Sequence, residues 1–171
     1  MKWLVLALLL AAAQPAEAPR ASPALAQLRH VVGAWEVRTE FLNEDGSVAR
    51  AVDGSYEFAW VLPDRILRGV SRMPALDQVS AILFYLRPAE REVEMVSVGP
   101  DGRLWVMTGP DAAEERTTPD VPAQDGGRMR LRFTRYNVSQ DRFESRMDYS
   151  TDGGATWTQG NHQVFVRRGN G

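Results

Sequence analysis

The sequence predicts an all-β protein: an up-and-down antiparallel β-barrel of eight to ten strands, entered through one short N-terminal helix. Three observations lead there. Most of the chain alternates apolar and polar side chains with a period of two, as strands buried on one face do. Tight turns rich in Gly, Asp, Asn and Pro separate the alternating segments, which favours consecutive hairpins. Finally, so many one-faced strands lose their exposed edges only when the sheet curls and closes.

Residues 1–18 stand apart from the fold. Lys2 gives a basic start, residues 3–13 are an unbroken apolar run, and Ala16-Glu17-Ala18 is a small-x-small cleavage site. This is the pattern of a secretory signal peptide, and the run is too short to span a bilayer. The expectation is a secreted or periplasmic protein. Residues 19–24 read as a flexible mature terminus and residues 25–168 as the barrel domain. Ser22 offers an N-cap, Pro23 suits the first helical position, and Leu25, Leu28 and Val32 recur at helical spacing before Gly33.

The period then drops to two. Trp35, Val37, Thr39 and Phe41 alternate with Glu36, Arg38 and Glu40, and Asn43-Glu44-Asp45-Gly46 makes the turn. Tyr56, Phe58, Trp60 and Leu62 form the next alternating set, ended by Pro63-Asp64. Strands follow over 66–73, 79–87, 92–98 and 103–109. Segment 79–87 is apolar on both faces, so it is either buried twice or packed against a partner, which would make a homodimer. Residues 110–127 are rich in Pro, Asp and Glu with almost no large apolar side chain, and read as an exposed loop. Met129, Leu131 and Phe133 then resume the alternation, as do Phe143, Ser145, Met147 and Tyr149. Thr151-Asp152-Gly153-Gly154 is a hairpin turn leading to the last strand.

Composition narrows the function. The formal charge of −2 leaves no electrostatic footprint for nucleic acid, and no later stretch is apolar enough to span a membrane. With no Cys there is neither a disulfide nor a thiolate site. Every basic residue after Lys2 is arginine, scattered along the chain as genomic base composition would scatter it.

The segment LRHVVGAWEV carries Gly33-Ala34-Trp35 between the helix and the first strand. It resembles the G-x-W motif that opens lipocalins and related calycin barrels. The order of motifs also resembles a bacterial lipocalin-like family of uncharacterised function, through an apolar strand with Trp60, Leu62 and Arg65 and a terminal aromatic-x-Arg strand. The resemblance implies that the Trp plugs the closed end while an Arg of the last strand packs over it. Here VFVRR supplies Arg167 or Arg168, and alternation groups Phe165 with Arg167. The implied plug is Gly33, Trp35 and Arg167.

Among sites, Ser150 to Trp157 matches the Asp-box string S-x-D-x-G-x-T-W, which as a single copy reads as a folded turn, not a catalytic element. His162 on the last strand raises haem ligation as a minor alternative, since some bacterial lipocalin-like barrels hold haem through one C-terminal His. His30 reads as a helix surface or boundary residue. No Ser/His/Asp triad is assembled. Glu36, Glu40, Glu57, Glu144 and Asp148 read as solvated outer-face charges. The residues call for no metal and no other cofactor. The strongest candidate is the inner face: Val37, Thr39, Phe41, Tyr56, Phe58, Trp60, Leu131, Phe133, Phe143, Met147 and Tyr149 line either a ligand pocket or a filled core. The expected function is therefore an exported container for a small apolar or amphipathic molecule, without chemistry of its own. The alternatives are a filled interaction module that dimerises through 79–87, or an enzyme acting inside the barrel.

Overall fold

The computed structural model describes residues 22–99, 101–123 and 126–169, so the cleavable leader expected over 1–18 lies outside the described residues. Ser22 caps the helix α1 (Pro23–Val31), its Oγ accepting from the Leu25 amide at 3.3 Å. The helix starts two residues before the expected domain boundary, and Ala24 in its first turn is fully buried.

Eleven strands follow among the described residues: β1 (Gly33–Leu42), β2 (Val48–Leu62), β3 (Ile66–Met73), β4 (Gln78–Arg87), β5 (Glu92–Val98), β6 (Leu104–Pro110), β7 (Glu115–Thr117), β8 (Val121–Pro122), β9 (Arg128–Ser139), β10 (Arg142–Ser150) and β11 (Thr158–Arg167). All pairings are antiparallel. β1 to β6 pair in chain order, β7 bridges β6 to β9, and β10 and β11 return to β1. Ten strands thereby close a ring, with β8 attached to β9 outside it. The sheet has no free edge along the ring, the economy that the repeated one-faced strands require.

Cross-strand register sets the inner face. Trp35 stands opposite Tyr56 and Arg167, Val37 opposite Phe165, and Phe133 opposite Met147. The core lies toward α1, where Leu28, Val31, Trp35, Phe58, Leu67, Phe84, Phe143 and Phe165 are buried together. Further along the barrel the inner face turns polar. Gln163 Nε2 donates to Thr39 Oγ1 at 3.0 Å and to Tyr56 Oη at 3.2 Å, and Ser145 Oγ donates to Gln163 Oε1 at 3.3 Å.

Two sequence expectations need correction. Residues 110–127 are not wholly a solvated loop: β7 lies within them and completes the ring, with Arg116 and Thr118 buried. Composition misled because a three-residue strand has no room to display a period. Asp148 is not solvated either. It lies on the outer side of β10, but Arg132 and Arg146 flank its carboxylate at 2.8 and 3.2 Å, and Arg132 also stacks 4.2 Å over Trp157, so the group is buried. On segment 79–87, the inner side chains Ile82 and Phe84 join the core, whereas Val79 is half exposed on the outside.

Candidate functional site

The closed end is built from Gly33, Trp35 and Arg167. Gly33 has φ 118°, a conformation that favours glycine, and a Cβ there would stand 3.0 Å from Arg167 Nη1. Trp35 has no exposed surface, and its Nε1 donates to the Val31 carbonyl at 2.8 Å. The Arg167 guanidinium lies 4.2 Å over the Trp35 ring and donates to the carbonyls of His30 and Val32 at 2.8 and 2.9 Å. A helix leaves its last carbonyls without partners, and here two side chains satisfy three in a row.

Beneath α1 lies a cavity of about 100 Å³. Leu28 and Val31 of the helix, Phe58, Ile82, Phe84, Met95, Phe133, Phe143 and Phe165 supply its apolar wall, and Gln27, Tyr56, Ser97, Arg116 and Arg135 its polar groups. Of the inner-face residues expected from sequence, Tyr56, Phe58, Phe133 and Phe143 line this cavity. Val37 and Thr39 are buried on the inner face outside it, and Trp60, Leu131 and Met147 pack against the core. Phe41 and Tyr149 are partly buried, opposite Asn161 and Leu131. Burial pushes the Tyr56 hydroxyl above the usual tyrosine range, so it is a neutral hydrogen-bonding group there.

Sequence reasoning did not single out Arg116 and Arg135, which are 3% and 6% exposed. The Arg135 signal was present: it continues the alternation of Met129, Leu131 and Phe133 onto the apolar face. Arg116 was hidden in a stretch that read as loop. Its space comes from Gly109 on β6, where a Cβ would meet the Glu115 carbonyl at 2.2 Å and Arg116 Cγ at 3.1 Å.

His30 holds Arg135. Its Nε2 lies 2.7 Å from the Ser139 carbonyl, which requires a proton on Nε2 and leaves Nδ1 to accept from Arg135 Nη2 at 3.0 Å. Burial is the main cause that lowers the His30 pKa, with the Arg135 and Arg167 charges acting in the same direction. His162 stands on the outer face instead. It pairs with Glu40 and Arg146 across the sheet, and Glu144 and Glu40 flank its ring at 2.9 and 3.4 Å, so this imidazole does not face the lumen. The Asp-box string folds as a turn: Asp152 accepts from the Thr156 amide at 2.9 Å and from its hydroxyl at 2.6 Å, and Ser150 Oγ donates to Asp152 at 2.7 Å. These bonds, the Thr156 hydroxyl first, hold the Asp152 pKa well below the usual carboxylate range.

A closed antiparallel ring with a helix across one end is a calycin-like β-barrel. Among solved structures the chain is similar to the S-type phycobiliprotein lyase CPES from Guillardia theta, at 12% identity and a TM-score of 0.53, over 85% of this chain and 93% of that one. It is also similar to Rv2717c from M. tuberculosis, at 17% identity and a TM-score of 0.57, over 86% of this chain and 98% of that one. At such identities the likeness is one of fold. No family model and no curated protein sequence matches the chain. No helix among the described residues is long and apolar enough to cross a membrane.

Proposed function

We propose that this protein is exported and holds one small apolar or amphipathic molecule in the barrel, with no chemistry of its own. The cavity beneath α1 carries the reading. Its wall is aromatic, aliphatic and thioether, with a few polar side chains set among the apolar ones, the layout of a small-molecule site. Its size sets the ligand. About 100 Å³ is somewhat less than an engineered apolar cavity of ~150 Å³ that takes up benzene. A single ring or a short alkyl chain fits with small side-chain adjustments, for which Met95 is suited. Nothing among the lining residues resembles a nucleophile paired with a base. Thermal-shift titration with toluene tests the container: the melting temperature rises with probe concentration in the wild type and not in Ile82→Phe, which fills the space. An unchanged melting temperature in the wild type refutes the reading.

A second reading concerns the outer face of β4, β5 and β6, which we propose to meet a second copy of the chain. Ala81, Val98 and Leu104 are consecutive cross-strand partners there, as are Leu83, Val96 and Val106, so two apolar rows run side by side on a sheet surface. Leu104 is 59% exposed. Such rows suit a two-fold contact, in which one patch serves both partners. Sedimentation tests it: the wild type forms a dimer and Leu83→Glu a monomer, whereas a monomeric wild type at high concentration rejects the contact.

A further inference from the structure

We propose that the molecule held in the cavity bears a single carboxylate, recognised by Arg116 and Arg135; the inference deepens the container reading and rests on it. Both arginines line the cavity and both are more than nine-tenths buried. They stand on adjacent strands of the same inner face, since Arg116 is opposite Phe133 and Arg135 lies one pleat further along β9.

Their existing partners hold them in place without using them up. Arg116 Nη2 donates to Gln27 Oε1 at 3.0 Å, and Gln27 Nε2 in turn donates to the Ala113 carbonyl at 3.3 Å, which fixes the amide. Arg135 is held by His30 and lies 5.0 Å over the Phe143 ring. Yet the Nε of each guanidinium is buried with no hydrogen-bond partner. A buried N–H left unmade is costly, and a guanidinium offers five donors in a planar fork shaped for a carboxylate.

The charges point the same way. The lining residues contain no acid, and the neighbouring carboxylate is Glu114, whose Oε2 lies 3.6 Å from Arg135 Nη1. With His30 neutral, two cations face one anion, so the site is one negative charge short. Burial depresses the Arg116 pKa to about 10, with Arg135 adding to the effect and Glu114 opposing it. Bracing α1 explains the contacts to Gln27 and His30. It does not explain an uncompensated charge against an aromatic wall, because neutral side chains brace a helix at lower cost. One monoanionic head and a small apolar body match the charge and the volume together: a single-ring or short-chain monocarboxylic acid.

The test is calorimetric titration of the whole protein with benzoate, benzamide and toluene. Benzoate is expected to bind at least tenfold more tightly than benzamide. Arg116→Gln and Arg135→Gln each weaken benzoate at least tenfold while toluene changes less than twofold. Glu114→Gln, which removes the internal competitor, tightens benzoate severalfold and provides a readout that keeps both arginines in place. Toluene binding with no preference for benzoate over benzamide overturns the carboxylate and leaves the container standing. Failure of all three probes overturns the container, and this inference with it. A benzoate preference that survives both arginine substitutions overturns the assignment to these residues.

Discussion

Replacing Arg167 by methionine keeps an aliphatic stem beside Trp35 and removes the guanidinium. The hydrogen bonds to the His30 and Val32 carbonyls vanish, at 2.8 and 2.9 Å, together with the stacking over the indole at 4.2 Å and the longer, more exposed contacts to the Gln140 carbonyl and Asp141 at 3.4 and 3.3 Å. Bonds to a charged donor are worth about 1.5–3 kcal/mol each, and a cation over an aromatic face about 0.5–2 kcal/mol. The Arg167 side chain is 29% exposed, so water replaces part of what is lost and the lower ends of these ranges apply. The expected destabilisation is about 3 kcal/mol, a large share of the ~5–15 kcal/mol that holds a typical domain folded. Urea unfolding followed by circular dichroism measures it. In a chain of this size the melting temperature should fall by about 6–12 °C. A double-mutant cycle with Trp35→Phe isolates the ring contact, and the two residues should couple by about 0.5–2 kcal/mol. A loss below about 1 kcal/mol with no coupling would mean that α1 is held by its apolar face alone, and the plug would be an ornament of the fold.

Gly33→Ala should destabilise by about 1–3 kcal/mol, because its φ of 118° disfavours any side chain and the new Cβ would press on Arg167; urea midpoints decide it. His30 should make stability pH-dependent. Its folded pKa is lowered, so the unfolded chain binds the proton more readily, and its contribution is intact above about pH 6.5 and declines as pH falls from there toward the lowered value. Unfolding midpoints at pH 7.5 and 5.5 should differ in the wild type and converge in His30→Gln. The carboxylates with lowered pKa values, Asp45, Asp64, Glu144 and Asp152, lose their contribution only in more acidic solution, below their ordinary values near 4, which separates the two effects. Asp152→Ala should lower the unfolding midpoint by opening the last hairpin, and Asp152→Asn, which keeps one acceptor, should lower it less. Hydrogen exchange should be fastest, within the ring, at β7, since it joins β6 through the single pair Thr108 and Thr117.

Much of the fold was legible because strands announce themselves by period. Trp35, Val37 and Thr39 against Glu36 and Arg38 could only be a half-buried strand, and all three are buried in the barrel. The helix was legible from Ser22 and Pro23, residues whose backbone chemistry suits a start. Segment 79–87 was ambiguous because its apolar residues fall on both faces, and register alone sends Ile82 and Phe84 inward. Asp148 misled because alternation tells which face a side chain takes, not whether neighbours such as Arg132 and Arg146 close over it.

The cavity shows the same division. Period and turn chemistry are local, set by a few neighbouring residues, and they dictate strands, hairpins and the one-sided distribution of apolar side chains. The place where Arg116 meets Arg135, the depth of the space between six aromatic rings, and the charge left unbalanced there depend on closure of the ring. Closure brings β7 against β9 and lays α1 across the end, joining Gln27 and His30 to residues about ninety and more than a hundred positions away. No short window of sequence contains those pairs, because long-range packing, not local preference, selects them.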